Sequence, residues 1–178
     1  MQNALAYFES NNCKVVVKPN DGAQGRDVFY CDSPMTLEHA MQTIFTTEPQ
    51  VSLCPYHAIY TEYRVFYLYG KTYYCYGKTK GDNWKHNLSQ GAKAFEVTDR
   101  GLCTKLSDLT IQAAKSIDIN FATIDIALLE NNELAIMEIN SGVQAQHLLE
   151  QIPHRRSTIK GIYANAVSRM FGDDPKGS

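Results

Sequence analysis

Residues 122–130 and 133–139 are two apolar, β-branched runs that flank the dipeptide Asn131-Asn132. Asparagine tolerates positive φ, so the dipeptide predicts a two-residue turn and an antiparallel hairpin. With Glu130 facing Glu133, the rest of the register is fixed, and Asp125 falls directly opposite Glu138. Their Cβ atoms are expected ~5 Å apart, and Asn140, two residues on, points to the same face. The other face carries Ile124, Ile126, Leu128, Met137 and Ile139 as a core stripe. Like charges directly opposite each other weaken a strand pair. A divalent cation reverses that sign. Two carboxylates and an amide oxygen are hard ligands of the kind Mg²⁺ takes, with phosphate oxygens completing the shell. An acidic sheet face left in water is the plainer reading of the same residues. Ala127, Leu129, Leu134 and Ile136 predict that the acidic face is covered, and a covered carboxylate pair needs a partner.

The remaining pattern alternates strands and helices. Lys14-Val-Val-Val-Lys18 reads as a strand stopped by Pro19, followed by a turn-rich loop over 20–26 and a return strand over 27–31. Ser33-Pro34 opens a helix through residue 45, and a short strand over 51–54 stops at Pro55. A hairpin over 62–78 is expected to turn at Gly70-Lys71 in a type II′ geometry. Residues 80–93 are polar and read as a mobile loop, 106–117 and 157–171 as helices, and the tail after 172 as frayed. Several antiparallel hairpins mixed with helices predict an α+β fold rather than a doubly wound parallel sheet.

Seventeen basic against nineteen acidic residues give a net charge of −2, which excludes a generally basic nucleic-acid binder and a charge-driven disordered chain. No apolar run reaches the ~20 residues of a membrane span, and the N-terminus has no signal-peptide pattern. The five cysteines form no Cys-x-x-Cys pair, so they predict free thiols in a reducing cytoplasm rather than disulfides or a zinc site.

Other candidates carry two readings each. Lys18 before a loop with Gly22 and Gly25 is an ordinary strand end and turn, or a point charge beside backbone N–H groups that approach phosphate. Glu62 and Arg64 share a strand face and form a salt bridge at the sheet end, or Arg64 grips a phosphate or carboxylate with its planar fork. Lys85 and Asn87, beside the single tryptophan Trp84, sit in a solvated loop or contact phosphate and substrate. His57, His86, His147 and His154 lack the spacing of a metal site or triad and read as surface or satisfied histidines. Cys54 has no base beside it in sequence to make it a nucleophile.

The order of these elements along the chain is more specific than any one of them. Val-Val-Val-Lys18-Pro-Asn-Asp-Gly22-Ala-Gln-Gly25-Arg26 comes first, then Glu62-Tyr-Arg64, Lys85-His-Asn87-Leu-Ser-Gln-Gly91, Asp125, and finally Glu138-Ile-Asn140-Ser-Gly. This series resembles the ATP-grasp superfamily, and within it the RimK-like and glutathione-synthetase-like carboxylate–amine ligases, over roughly residues 13–145. The resemblance implies two α+β subdomains that clasp ATP. Residues 13–79 would be a lid-type subdomain, 80–172 a C-terminal subdomain with the metal site, and 173–178 a flexible tail, with the usual N-terminal domain absent. It implies that Lys18, Gly22, Gly25 and Arg26 hold phosphates, with Lys85 where relatives often have Arg. Leu53, Cys54 and Tyr56 would meet adenine through the backbone. Asp125, Glu138 and Asn140 would bind one or two Mg²⁺, with Mn²⁺ as an alternative. Arg64 and Asn87 would hold phosphate, acyl phosphate or substrate, and Lys78 or Lys80 stands where relatives carry a basic residue. Ser141-Gly142 replaces the more usual Ser-Pro-Gly, and Pro55 removes one N–H from the adenine strand.

The expected activity is ATP-dependent joining of a carboxylate and an amine through an acyl phosphate. The substrates would be small molecules or peptides, without nucleic acid or membrane, and a missing N-terminal domain or partner chain would complete the enzyme. The alternatives are an ATP-binding regulatory or scaffold module without ligase chemistry, and a phosphotransferase on the same core. Asp125→Asn and Glu138→Gln are expected to abolish turnover with little loss of fold.

Overall fold

The computed structural model describes residues 1–20, 27–80 and 86–172, and the chain divides into two compact units, Met1–Ala58 and Ile59–Ser178. The first unit contains α1 (Gln2–Ser10), β1 (Val15–Pro19), β2 (Phe29–Cys31), α2 (Pro34–Phe45) and β3 (Val51–Pro55). Its sheet has β1 in the middle, antiparallel to both neighbours. The β-branched run at β1 alternates as a half-buried strand should: Val15 and Val17 are fully buried, while Val16 and Lys18 are half-buried on the other face. Phe8 of α1 and Leu37, Met41 and Ile44 of α2 close over the buried valines. The α2 start follows from a reciprocal cap. The Ser33 hydroxyl accepts from the Thr36 N–H at 3.2 Å, and the Thr36 hydroxyl accepts from the Ser33 N–H at 3.1 Å.

The second unit is built on a five-stranded antiparallel sheet of β4 (Ile59–Leu68), β5 (Lys71–Thr79), β6 (Lys93–Glu96), β7 (Phe121–Leu129) and β8 (Leu134–Asn140). The spatial order is β6-β5-β4-β7-β8. The hairpin grouped above with the lid therefore pairs, through β4, with the strand that carries Asp125. Its turn is Tyr69-Gly70, not Gly70-Lys71. Both residues have positive φ (43° and 81°) and Leu68 faces Lys71, which makes a type I′ turn whose twist suits the flanking strands.

The hairpin of β7 and β8 differs from its sequence reading in two compensating ways. Its loop has three residues, with Asn132 at φ 64° and the Leu129 N–H donating to the Glu133 carbonyl. Near the loop Leu128 faces Leu134 and Ile126 faces Ile136. A bulge at Met137 then restores the expected register, so that Asp125 faces Glu138 and Thr123 faces Asn140. Met137 is consequently 43% exposed instead of lying in the core stripe. Leu134 and Ile136 leave the acidic face and join the core in its place. Burying Leu134 and Ile136 removes more apolar surface from water than burying Ala135 and Met137 in a shape the core can fill.

One face of the sheet packs on α3 (Arg100–Ser116) through Leu106, Ala114, Val65, Ile124 and Ile126. That helix starts earlier than the apolar spacing predicts, because the Asp99 carboxylate accepts from the Leu102 N–H at 2.9 Å. The other face packs Phe66 and Tyr76 against α4 (Gln146–Gln151) and α5 (Arg156–Phe171) through Leu148, Ile159 and Ile162. The short elements β6 and α4 carry too few apolar positions to show a period in sequence. Gly77 faces Phe95 across β5 and β6, and a Cβ there would run into the Phe95 ring. Among the described residues no helix is long and apolar enough to cross a membrane.

Candidate functional site

Antiparallel pairing places directly opposed residues on one face, so the register alone assembles the site. Tyr76, Arg64, Asp125 and Glu138 form one rung across β5, β4, β7 and β8. Tyr74, Phe66, Thr123 and Asn140 form the rung on one side of it, and Lys78, Glu62 and Ala127 the rung on the other. The three metal-ligand candidates are thereby brought together on the face that also carries Arg64.

Arg64 meets Asp125 fork to fork: Nε donates to Oδ1 at 2.6 Å and Nη2 to Oδ2 at 2.5 Å. Lys78 Nζ donates to the same Oδ2 at 3.3 Å and also to the Glu62 carboxylate. Glu62 and Arg64 thus do not pair with each other; each takes its partner from a neighbouring strand. The Lys78 side chain is 3% exposed and that of Asp125 6%, so these two form the buried centre of a four-charge cluster whose other members, Glu62 and Arg64, are half-buried. Lys80, beyond the end of β5, is exposed. Burial pushes the Asp125 carboxyl up, but the Arg64 bonds and the Lys78 charge outweigh it and hold the group below the usual carboxylate range. Burial opposes the Arg64 charge too, and the Asp125 carboxylate more than restores it. At Glu62 burial wins and the carboxyl is raised despite Lys78.

Glu138 is exposed and makes no ion pair among the described residues. Asn140 is half-buried, and its Nδ2 is sheltered from solvent without a hydrogen-bond partner among the described residues; so is the Thr123 hydroxyl opposite it. Each such orphan costs about 1–3 kcal/mol. An ionised carboxylate offers about four acceptor sites. Three at Asp125 are taken by Arg64 and Lys78, which leaves room for one more ligand bond. No group of three or more His, Cys, Asp or Glu able to hold a metal exists among the described residues. Two carboxylates and an amide still fit Mg²⁺, which keeps waters and phosphate oxygens in its shell instead of demanding an all-protein cage.

In the first unit, Lys18 faces Ser52 across β1 and β3. The Tyr56 N–H donates to the Lys14 carbonyl at 3.1 Å, so Cys54 and Tyr56 turn their N–H groups toward β1. Leu53, just before Cys54, has the opposite phase and turns both backbone groups outward, on the edge strand of its sheet. Gly22, Gly25, Arg26, Trp84 and Lys85 lie outside the described residues, as does the tail after Gly172.

Asn87 opens a 3-10 turn over Leu88–Gln90, its carbonyl accepting from the Ala92 N–H at 3.3 Å. Just before it, His86 is 4% exposed and donates from Nδ1 to the Lys78 carbonyl at 3.1 Å. Its Nε2 is buried without a partner among the described residues, and burial lowers the ring's pKa. Sequence reading passed over His86 as an ordinary histidine and left Lys78 undecided against Lys80. Parity with Tyr76 and a place inside the strand, which Lys80 lacks, single out Lys78. Nothing in the sequence marks Thr123 or His86, because their burial depends on long-range packing.

Residues 3–154 match the family model of the RimK-like ATP-grasp domain. No curated protein matches the chain. Among solved structures it is similar to D-alanine–D-alanine ligase from Bacillus anthracis, with a TM-score of 0.72 and 16% identity over 93% of this chain and 58% of that one. That ligase is also known complexed with ATP. Biotin carboxylase from Campylobacter jejuni, in its β-γ-ATP complex, gives a TM-score of 0.70 and 16% identity over 89% of this chain and 38% of that one. The ATP-grasp ligase PsnB complexed with minimal precursor, Mg and ADP gives 0.56 and 13% over 92% of this chain and 51% of that one. The chain thus spans less than two thirds of each of these proteins. Identities this low establish likeness of fold, and that fold is the α+β architecture expected above. With the family match covering most of its length, the chain belongs to the RimK-like ATP-grasp domain family.

Proposed function

We propose that this chain is the Mg²⁺- and ATP-dependent core of a carboxylate–amine ligase. The observation that carries the reading is the rung Arg64–Asp125–Glu138, with Lys78 and Asn140 on the rungs beside it. A substrate carboxylate oxygen attacks the γ-phosphorus of ATP and ADP leaves. An amine then attacks the acyl carbon, phosphate leaves, and the nitrogen loses its proton to form the amide. Asp125, Glu138 and Asn140 would hold Mg²⁺, or Mn²⁺ in its place. Bound metal supplies neutralisation of charge on the phosphate oxygens.

The chain's own residues supply positioning. Lys18, Gly22, Gly25, Arg26 and Lys85 receive phosphates, and Leu53, Cys54 and Tyr56 line the adenine, Leu53 through its outward backbone groups. Arg64 has five N–H donors and spends two on Asp125, so the rest of its fork is free to steady the acyl phosphate. Asn87 orients the substrate. Lys78 holds Asp125 and Glu62 in place, so the carboxylate stays ionised for its ligand. No side chain acts as a covalent nucleophile; catalysis rests on position and electrostatics. Small-molecule or peptide substrates fit this reading, as does an additional N-terminal domain or partner chain. Work in the cytoplasm agrees with the five cysteines being free thiols.

Calorimetric titration of MgATP into the wild-type chain and Glu138→Gln tests the reading. Metal-dependent binding that is lost in the variant, with ADP release that requires both a carboxylate and an amine, is the expected result. A folded wild type that binds no MgATP, or a variant that binds as well as wild type, would overturn it. The neutralisation of Asp125 by Arg64 and Lys78 favours a second reading, an ATP-binding module without ligase chemistry. Binding without ADP release under any substrate pair would select it, and a stable phosphorylated product formed without amine would select a phosphotransferase.

A further inference from the structure

The second unit holds two of the chain's cysteines, Cys75 on β5 and Cys103 in the first turns of α3. Their Sγ atoms lie 3.8 Å apart, in van der Waals contact across the sheet–helix packing. Cys75 is on the face opposite Tyr74 and Tyr76, so the pair sits behind the sheet from the Arg64–Asp125 rung and has no part in the chemistry proposed above. Both cysteines are half-buried and line a pocket of about 160 Å³ with Val65, Thr72, Tyr74 and Ser107. The Thr72 and Ser107 hydroxyls bond each other at 2.8 Å. The Cys103 thiol has one further neighbour, the Val97 carbonyl at 3.8 Å. A metal is not what the pair would hold, because among the described residues no third His, Cys, Asp or Glu joins it. Each sulfur therefore has the other as its available reaction partner, in a pocket roomy enough for an oxidant of water-like size.

We propose that Cys75 and Cys103 are an oxidative modification site, forming a reversible disulfide with a peroxide-class oxidant and so stapling α3 to β5. Two thiols and one hydrogen peroxide give one disulfide and two waters. Two electrons pass from the sulfurs to the peroxide oxygens, the O–O bond breaks, and both thiol protons leave in water. Forming a bond of ~2.05 Å from this contact asks for side-chain rotation and a small approach of α3 to the strand. Burial and the neighbouring Cys103 push the Cys75 thiol up to about 12. Oxidation is accordingly slow at neutral pH and faster in mild alkali, since the thiolate is the reacting form. The disulfide closes the long loop between β5 and α3 and constrains the unfolded chain. The geometry stands independently of the ligase reading.

The test treats the full chain with excess hydrogen peroxide, alkylates remaining thiols, and maps non-reduced peptides. The expected product is a peptide linking Cys75 to Cys103, with an intact mass lower by two hydrogens and full reversal by a thiol reductant. The oxidised chain should melt higher by about 5 °C or more, and Cys75→Ser should show neither the link nor the shift. Recovery of Cys75 and Cys103 as alkylated thiols or as sulfinic acids overturns the proposal. So does a link of either one to Cys13, Cys31 or Cys54, or a melting shift that survives in Cys75→Ser.

Discussion

Asp125→Asn changes a charge and almost nothing else in shape, and the structure gives it a larger effect on the fold than sequence reading expects. In the wild type, Asp125 accepts two bonds from Arg64 and one from Lys78 on a buried face. The amide retains one acceptor oxygen for Arg64 and turns an N–H₂ toward the remaining cationic donors. Glu62 is then the one anion left to balance two cations. Removing one partner of a buried ion pair costs about 3–5 kcal/mol. Arg64 is 22% exposed and keeps a bond, which places the expectation at the lower end, about 3 kcal/mol. For a chain of this length that is a fall in thermal midpoint of about 6–12 °C. Glu138→Gln is the control, because Glu138 is the next residue along the same rung but is exposed and makes no ion pair among the described residues. Its change should stay within about 0.5 kcal/mol. Thermal melts followed by circular dichroism at neutral pH, backed by urea titration, separate the two. Variants that melt together, or Asp125→Asn melting within about 2 °C of wild type, would refute the buried-cluster argument. It follows that Glu138→Gln, not Asp125→Asn, is the clean probe of ligand binding.

The remaining predictions concern pH, a cap and a turn. Asp125 is held below the usual carboxylate range, so its stabilisation is complete above about pH 4 and lost as pH falls through the lowered value. Acid titration of the thermal midpoint should therefore fall more steeply for wild type than for Asp125→Asn, and equal slopes would contradict this. Ser33→Ala removes the reciprocal cap of α2 and should cost about 1 kcal/mol, read by urea unfolding of the intact chain; no change would mean that the cap is solvated equally well in its absence. Gly70→Ala forces a side chain onto a φ of +81° and should cost about 1 kcal/mol by the same measurement.

Local signals carried most of the architecture. Proline and serine at the head of α2, three consecutive valines in β1 and paired apolar runs around short turns are statements about a few neighbouring residues, and these elements formed, although both hairpin turns differ by a residue from the expected ones. The pairing of Asp125 with Glu138 was legible too, although the assumed loop was one residue short and the assumed strand lacked a bulge. Those differences cancel at Asp125, and the sequence could not reveal them because the choice between registers is made by α3, which prefers Ile136 to Met137 in the core. The ion cluster was half legible. Strand parity puts Glu62, Arg64 and Lys78 on one face, but which charge meets which depends on β4 lying between β5 and β7. The orphaned atoms of Thr123, Asn140 and His86 were invisible, since burial of a polar atom is a property of the packed molecule.

The bulge at Met137 separates the hairpin into two halves that answer to different constraints. Leu134 and Ile136 reach the α3 core before the bulge and Ile139 reaches it after, so the core-facing parity switches from even to odd numbers at one residue. Alterations of loop length between Leu129 and Glu133 are absorbed before they reach the joint, because Ile124 facing Ile139 anchors the far side independently. Removing Met137 would merge the phases without displacing Glu138 from Asp125. The tip of this hairpin is therefore a natural port for inserted sequence, whether acquired in evolution or grafted by design, with the charged rung shielded from whatever is attached there.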